Sequence, residues 1–525
     1  MDREYIETNI TPSLSPALTA LCRARPEDPV TWLANYLLAN KPTPPTKPPP
    51  LVPTEAQPTA EALLALVHSG KKSCVDIVSE RLARIEAVEG TLGACPEILT
   101  ATALEQAKAV DLKVAAGKPL RRLEGLPIVV KINVDIAGTL TTAATPALAE
   151  WKPTKTSPCV APLLAEGAIV LAKTAMCEMA VGFRGGSALH GMPKCPYSLE
   201  HNAGGSSTGT AVAIAAGIVP CGIGSDTAGS LRVPAACNGG VGLRPSKGRW
   251  PGVGVVPCAT LRDTPGPMGA TVADVALLDA VLHNEPPVVA PPSLMGHKVV
   301  IASDWLAAGP ALSDEAKAAL DAAVVALEKA GAAVVTEEGF LAVREVAKHT
   351  WNPPLPVPVE DTYEDLQAYL DYHGTDLPEE LRTVAGVRDK FGNGTPIGGL
   401  LKGFFAPSTE KQPDAALWQA KLVERDAAIK ATEAAYRRFF IKLGASAVIL
   451  PTFPGENTRL DANPAGTLFN EGAYSSHLCT ISGAPSISLP TKVTWPNSGI
   501  PVSVMLWGTD DRKLLALALA LERAL

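Results

Sequence analysis

The sequence predicts an α/β protein, a large mixed β-sheet flanked by helices, preceded by a small N-terminal α-helical hairpin. Three observations predict it. Short apolar runs alternate with longer helical segments over most of the chain, a proline-dense stretch sets off residues 1–41, and the composition, 46 % hydrophobic with only 5 % aromatic and 44 glycines, suits a large core of small residues.

The apolar runs read as buried strands at 128–132 (IVVKI), 168–173 (AIVLAK), 298–302 (KVVIA), 332–335 (AAVV), 446–450 (SAVIL), 486–490 (SISLP) and 501–507 (PVSVMLW). Between them, Thr59 and Ser73 each start a helix, the second with a capping box to Asp76 and with Val75, Val78, Leu82 and Ile85 on one face. A further helix runs through 313–330, and the helical region from about 340 to 440 forms an excursion suited to substrate selection.

At the N-terminus, Leu14, Leu18 and Leu21 recur at helical spacing. Asp28 followed by Pro29 caps a second helix carrying Val30, Leu33 and Leu37. Two such short helices cannot bury their apolar faces alone and need a partner. Residues 42–58 hold eight prolines, which fix φ and remove donors, and read as a stiff linker of about 50 Å when extended. The expected division is therefore a hairpin at 1–41, a linker at 42–58 and a body at 59–525.

The net charge of −7 gives no basic footprint for nucleic acid or an anionic membrane. Ten cysteines without a CxxC pair, and eight histidines without clustered spacing, indicate neither a disulfide framework nor a metal site, and no cofactor is expected. The polar start and the lack of an 18-residue apolar run place the chain in the cytoplasm, with no membrane span.

The residues suited to chemistry lie in two glycine-rich segments, GGSSTG and GSDTAGSLRVP, whose serines Ser206 and Ser230 stand 24 residues apart. Two alcohols cannot activate each other, so a base is required. Neither serine sits in a G-x-S-x-G elbow, and His190 and His201 have only proximity to recommend them. Lys131 ends an apolar run in GLPIVVKINVDI, where burial would favour its neutral amine.

Lys131, Ser206 and Ser230, with GLPIVVK, TTAATPAL, AKTAMCEMAVG, GLRPSKGR, RDTPGPMG and SGAPSISLPTKV, resemble the amidase signature family over residues 59–525. The resemblance implies a Ser-cisSer-Lys triad that cleaves a carboxylic amide through an acyl-enzyme. Ser230 would be the nucleophile, Ser206 the bridging serine after a cis peptide from Gly205, and Lys131 the base. Backbone N–H groups of Thr227, Ala228, Gly229 and Ser230 would form the oxyanion hole, supported by Ser207, Asp226 and Arg232. Four positions depart from the pattern: Ile132 for an acidic residue, Ala144 and Ala228 for glycines, and Ala175 for asparagine. The segments RDTPGPM and LQAYLDYHGTD look most like the indoleacetamide and mandelamide hydrolase branch, which handles small aryl primary amides.

The run from Pro26 to Pro42 resembles the docking-and-dimerisation hairpin of the dumpy-thirty and RII-alpha class. That resemblance implies a homodimer, or capture of an amphipathic scaffold helix, through residues 13–41, with a cilium or flagellar axoneme as the expected setting. The alternative is a structural or weakly active amidase-fold subunit of such an assembly.

Overall fold

The computed structural model describes residues 51–347, 361–391, 396–411, 414–460 and 477–525 except Ala56, together with Leu21, Ala24, Pro26 and 28–33. It divides into two compact units, Met1–Pro50 and Leu51–Leu525.

Within the first unit, Asp28 starts a helix as its sequence context predicts. Its Oδ1 accepts from the N–H groups of Val30 and Thr31, both at 3.1 Å, which satisfies two of the donors a helix start leaves open. Val30 is exposed, and Leu21 and Leu33 are half-buried. Leu18 and Leu37 lie outside the described residues.

The second unit holds an eleven-stranded mixed sheet. Its strands are β1 (Glu97–Ile98), β2 (Pro127–Lys131), β3 (Ile169–Thr174), β4 (Cys221–Asp226), β5 (Val241–Arg244), β6 (Thr264–Gly269), β7 (Lys298–Ala302), β8 (Ala333–Glu337), β9 (Ala447–Pro451), β10 (Ser486–Thr494) and β11 (Pro501–Trp507). They lie in the order β1-β3-β2-β4-β6-β5-β10-β11-β9-β7-β8. β2 runs parallel to both β3 and β4, whereas β4 and β6 are antiparallel. All seven strands foreseen from apolar runs are present. β1, β4, β5 and β6 were not foreseen, and β6 is the instructive one because TPGPMG carries two prolines within a strand. Its ladder with β5 reaches only Met268 and Gly269, so Pro265 and Pro267 stand beyond a strand that would have needed their missing N–H groups.

Helices begin where capping residues placed them. Thr59 accepts from Ala62 N, Ser73 from Asp76 N and Ser313 from Ala316 N. The body starts earlier than the expected residue 59. Leu51 packs against the main core, its carbonyl accepts from Arg84 Nη2 at 2.8 Å, and Gln57 accepts from Arg81 Nη1 at 2.8 Å. The second half of the proline-rich stretch therefore lies on the body, because two arginines supply donors that the prolines cannot.

The excursion contributes helices Thr362–His373, Val384–Arg388 and Pro396–Phe404. Leu366, Tyr369, Leu370, Val387, Leu401 and Phe405 pack with Ile132, Ala144, Leu148 and Trp151. This apolar cluster covers the segment that follows Lys131.

Candidate active site

Because β2 and β4 are parallel neighbours, their C-terminal ends share one edge of the sheet, where open α/β sheets place ligands. Lys131 is the last residue of β2, and Asp226, the last of β4, leads into the turn Thr227–Ser230 ahead of helix Arg232–Cys237. Ser206 follows a cis peptide from Gly205 and precedes helix Thr208–Ala215. Topology thus gathers three segments far apart in sequence.

Lys131 is fully buried, with its Nζ 2.8 Å from Ser206 Oγ and 2.9 Å from Ser225 Oγ. Burial pushes its pKa down to about 8, against the partial opposition of Cys177, Asp263, Cys258 and Asp226. An amine there is available as a base near neutral pH. Ser230 is 2 % exposed, and its carbonyl accepts from Ser207 N at 3.3 Å, which ties the two serine segments together. Ser207 Oγ donates to the Ser225 carbonyl at 3.0 Å and accepts from Ser225 N at 3.2 Å. A Cβ on Gly224 would stand 2.7 Å from that hydroxyl, so glycine is what lets β4 approach.

Asp226 is buried among two guanidiniums. Its carboxylate accepts from Arg232 Nε at 3.1 Å, Arg244 Nη1 at 2.9 Å, Gly229 N at 2.9 Å and Leu231 N at 3.1 Å. Burial alone would raise its pKa, but the charges of Arg232 and Arg244 and these hydrogen bonds hold it well below the usual carboxylate range. Through Gly229 N and Leu231 N, the Asp226 carboxylate ties the turn to the buried Arg232 and Arg244.

The residues expected to form the oxyanion hole lie in this turn. Gly229 adopts φ +140°, and its N–H is committed to Asp226 Oδ1. Thr227 is held from its side chain, Oγ1 donating to Asp263 Oδ1 at 2.5 Å, while Asp263 Oδ2 accepts from Cys258 N and Ala259 N. Ala228 keeps a negative φ, so its methyl is accommodated where the resemblance implied glycine. Ala144 differs: it sits at φ +57°, in the left-handed region that glycine favours.

A cavity of about 410 Å³ adjoins this cluster, lined by Asn133, Ser225 and Thr227 on one side and by Val255, Tyr369 and Tyr372 on another. Behind its wall, Tyr369 Oη donates to Asp135 Oδ1 and His373 Nε2 meets Asp135 Oδ2, both at 2.9 Å. Trp151 Nε1 donates to Tyr369 Oη at 3.1 Å. This network fastens the excursion to the loop after β2. His190 bonds Thr142 and His201 bonds Ser198, so among the described residues neither histidine serves Ser206 or Ser230.

Ser225, Asn133, Arg244, Asp263 and the Asp135–His373–Tyr369 network were not anticipated. Arg244 and Asp263 lie inside the motifs GLRPSKGR and RDTPGPMG, which supplied a signal without a role. Asp135 and His373 carried no sequence signal linking them.

Comparison with known proteins decides the family. The amidase family model matches residues 76–515. The chain belongs to the amidase family. A second model, the Dpy-30 motif, matches residues 1–42. The mandelamide hydrolase of Pseudomonas putida is 31 % identical over 472 residues, covering 88 % of this chain and 90 % of that protein. A glutamyl-tRNA(Gln) amidotransferase subunit of Symbiobacterium thermophilum is 30 % identical, covering 89 % of this chain and 96 % of that protein. Among solved structures, a peptide amidase bound to the competitive inhibitor chymostatin superposes with a TM-score of 0.74 at 26 % identity, covering 89 % of this chain and 97 % of that one. These relatives establish an amide-hydrolysing enzyme on a mixed α/β fold. Among the described residues, no helix is long and apolar enough to cross a membrane.

Proposed function

We propose that this amidase cleaves a small carboxylic amide with Ser230 as nucleophile, Ser206 as proton relay and Lys131 as base. The observation that carries the reading is the 2.8 Å contact between the fully buried Lys131 Nζ and Ser206 Oγ, beside a turn that presents Ser230. Neutral Lys131 takes the Ser206 proton as Ser206 takes that of Ser230, and Ser230 Oγ adds to the carbonyl carbon. N–H groups of the Thr227–Ser230 turn other than Gly229 stabilise the oxyanion, which collapses with loss of ammonia or an amine that receives the relayed proton. Water then enters by the same relay and releases the acid.

A small aryl primary amide is compatible with the cavity, where Tyr369, Tyr372 and Val255 offer apolar and aromatic surface beside the charged Lys247, Asp263 and Asp365, and about 410 Å³ leaves room for a larger acyl group. The likeness to mandelamide hydrolase supports the same class. The Dpy-30 match supports a tether: residues 13–41 form a homodimer or seize an amphipathic helix of a scaffold protein. A ciliary or axonemal address has no support among these comparisons.

A second reading comes from the amidotransferase relatives, in which the chain would release ammonia from glutamine for a partner enzyme. One experiment separates the readings. Ammonia release is measured for the full chain with mandelamide, phenylacetamide, short aliphatic amides and glutamine, alongside Ser230→Ala and Lys131→Ala. Turnover of aryl amides that both substitutions abolish supports the first reading, and turnover confined to glutamine supports the second. Turnover that survives Ser230→Ala overturns the triad.

A further inference from the structure

Lys131 does not meet one hydroxyl but two, and the second is fixed from behind. Asn133 Nδ2 donates to Ser225 Oγ at 3.2 Å and to the Val256 carbonyl at 3.4 Å. Because a carbonyl can only accept, Val256 sets which end of the Asn133 amide faces Ser225: the NH₂ end. Ser225 Oγ therefore receives one N–H from Asn133 and stands 2.9 Å from Lys131 Nζ, while its residue lines the cavity.

We propose that Ser225, oriented by Asn133, is the positioning residue of the base: it accepts one Nζ–H of Lys131 and so turns the amine lone pair towards Ser206. A neutral amine has two N–H groups and a single lone pair. If the amine were free to rotate, that lone pair would face Ser206 only part of the time, and proton transfer depends on alignment as well as on distance. With Asn133 donating to one lone pair of Ser225 and Lys131 to the other, the Ser225 proton turns to the cavity and does not compete for the amine.

The inference rests on the triad reading, but it is tested by a different change. The full chain is labelled with a fluorophosphonate probe, which reports nucleophile reactivity without an identified substrate, and the labelling rate is followed against pH. The groups that face Lys131 and shape its titration are Cys177, Cys258, Asp226 and Asp263, and none of them is altered. Ser225→Ala removes an acceptor that an ammonium uses more strongly than an amine, so the acidic limb moves down by about half a pH unit while the plateau rate falls about tenfold. Ser225→Thr restores both. Asn133→Ala, which frees Ser225 without removing it, gives the same changes at smaller size and serves if Ser225→Ala does not fold. A merely structural role would lower the yield of folded protein without moving the limb.

A Ser225→Ala protein with wild-type limb and plateau, or with a faster plateau, overturns the inference while leaving the triad intact. Labelling that persists in Ser230→Ala overturns the triad reading itself.

Discussion

Lys131 and Asp226 end neighbouring parallel strands, both fully buried, yet of the two only Asp226 makes direct ion pairs among the described residues. Arg232 and Arg244 surround the carboxylate, whereas the Lys131 amine meets the hydroxyls of Ser206 and Ser225. The two groups therefore respond to burial in opposite ways. Asp226 is locked in its charged form, and Lys131 is pushed towards its neutral one. This asymmetry suits Asp226 to bracing the turn and, under the proposed mechanism, Lys131 to serving as base.

The first expectation concerns rate. With Lys131 titrating at about 8, kcat/KM for any amide that turns over rises with pH, about tenfold per unit below the midpoint, and levels off above it. A pH–rate profile on the full chain checks this. A flat profile between pH 6 and 9 would remove Lys131 from the role of base.

The same burial has a cost in stability. The folded pKa of Lys131 is below its ordinary 10.5, so between about 8 and 10.5 the unfolded chain binds more protons and stability rises with pH; below 8 the penalty is present in full. Lys131→Met keeps the length of the side chain without the charge. It should stabilise the protein by about 1–3 kcal/mol at pH 7, with the gain shrinking towards pH 10.5, while abolishing activity. Urea denaturation at the two pH values reads the difference.

Asp226→Asn acts in the opposite direction. It leaves two buried guanidiniums sharing a neutral amide, and breaking a buried pair from one side costs about 3–5 kcal/mol. Because Gly229 N and Leu231 N also lose a charged acceptor, the turn bearing Ser230 loosens. A fall in the denaturation midpoint with loss of probe labelling is expected, and a variant as stable as wild type would show that the turn is braced elsewhere.

Glu522 gives a prediction away from the site. It is largely buried, accepts from Val272 N and lies beside Asp274; burial first, then that carboxylate, raise its pKa to about 7. The folded state therefore binds more protons than the unfolded state between 4.5 and about 7, so this group weakens the protein as pH rises through that window. Glu522→Gln keeps the acceptor for Val272 and should add about 1–3 kcal/mol at pH 8 and nothing at pH 4. Thermal melts at both pH values check the sign.

How much was legible follows from which forces act locally. The strands at 298–302 and 501–507 were legible because unbroken apolar runs can only be buried. β4 and β6, CGIGSD and TPGPMG, were hidden because their glycines answer to neighbours that lie far away in sequence, such as the Ser207 hydroxyl against Gly224. Lys131, Ser206 and Ser230 were legible from their unusual settings, a lysine ending a strand and serines among glycines. Ser225 was not, since its meaning arises only when parallel pairing of β2 and β4 brings it to Lys131, 94 residues away. The tie of His373 to Asp135 spans 238 residues and has no local trace.

The last prediction concerns the hairpin. Asp28 caps its second helix, leaving Val30 77 % exposed and Leu33 half-buried within that helix. A single exposed valine is ordinary on a protein surface, so the expectation rests on the Dpy-30 match over residues 1–42. If residues 13–41 dimerise or take up an amphipathic helix, Leu33→Asp places a charge in the covered face and should convert a dimer to a monomer, or abolish capture of the helix. Amidase activity, housed in the unit Leu51–Leu525, should be unchanged. Light scattering and a turnover assay on the same sample read both halves. An unchanged mass with unchanged capture would show that the hairpin has some other use, and a parallel loss of activity would show that the enzyme depends on the assembly its N-terminus forms.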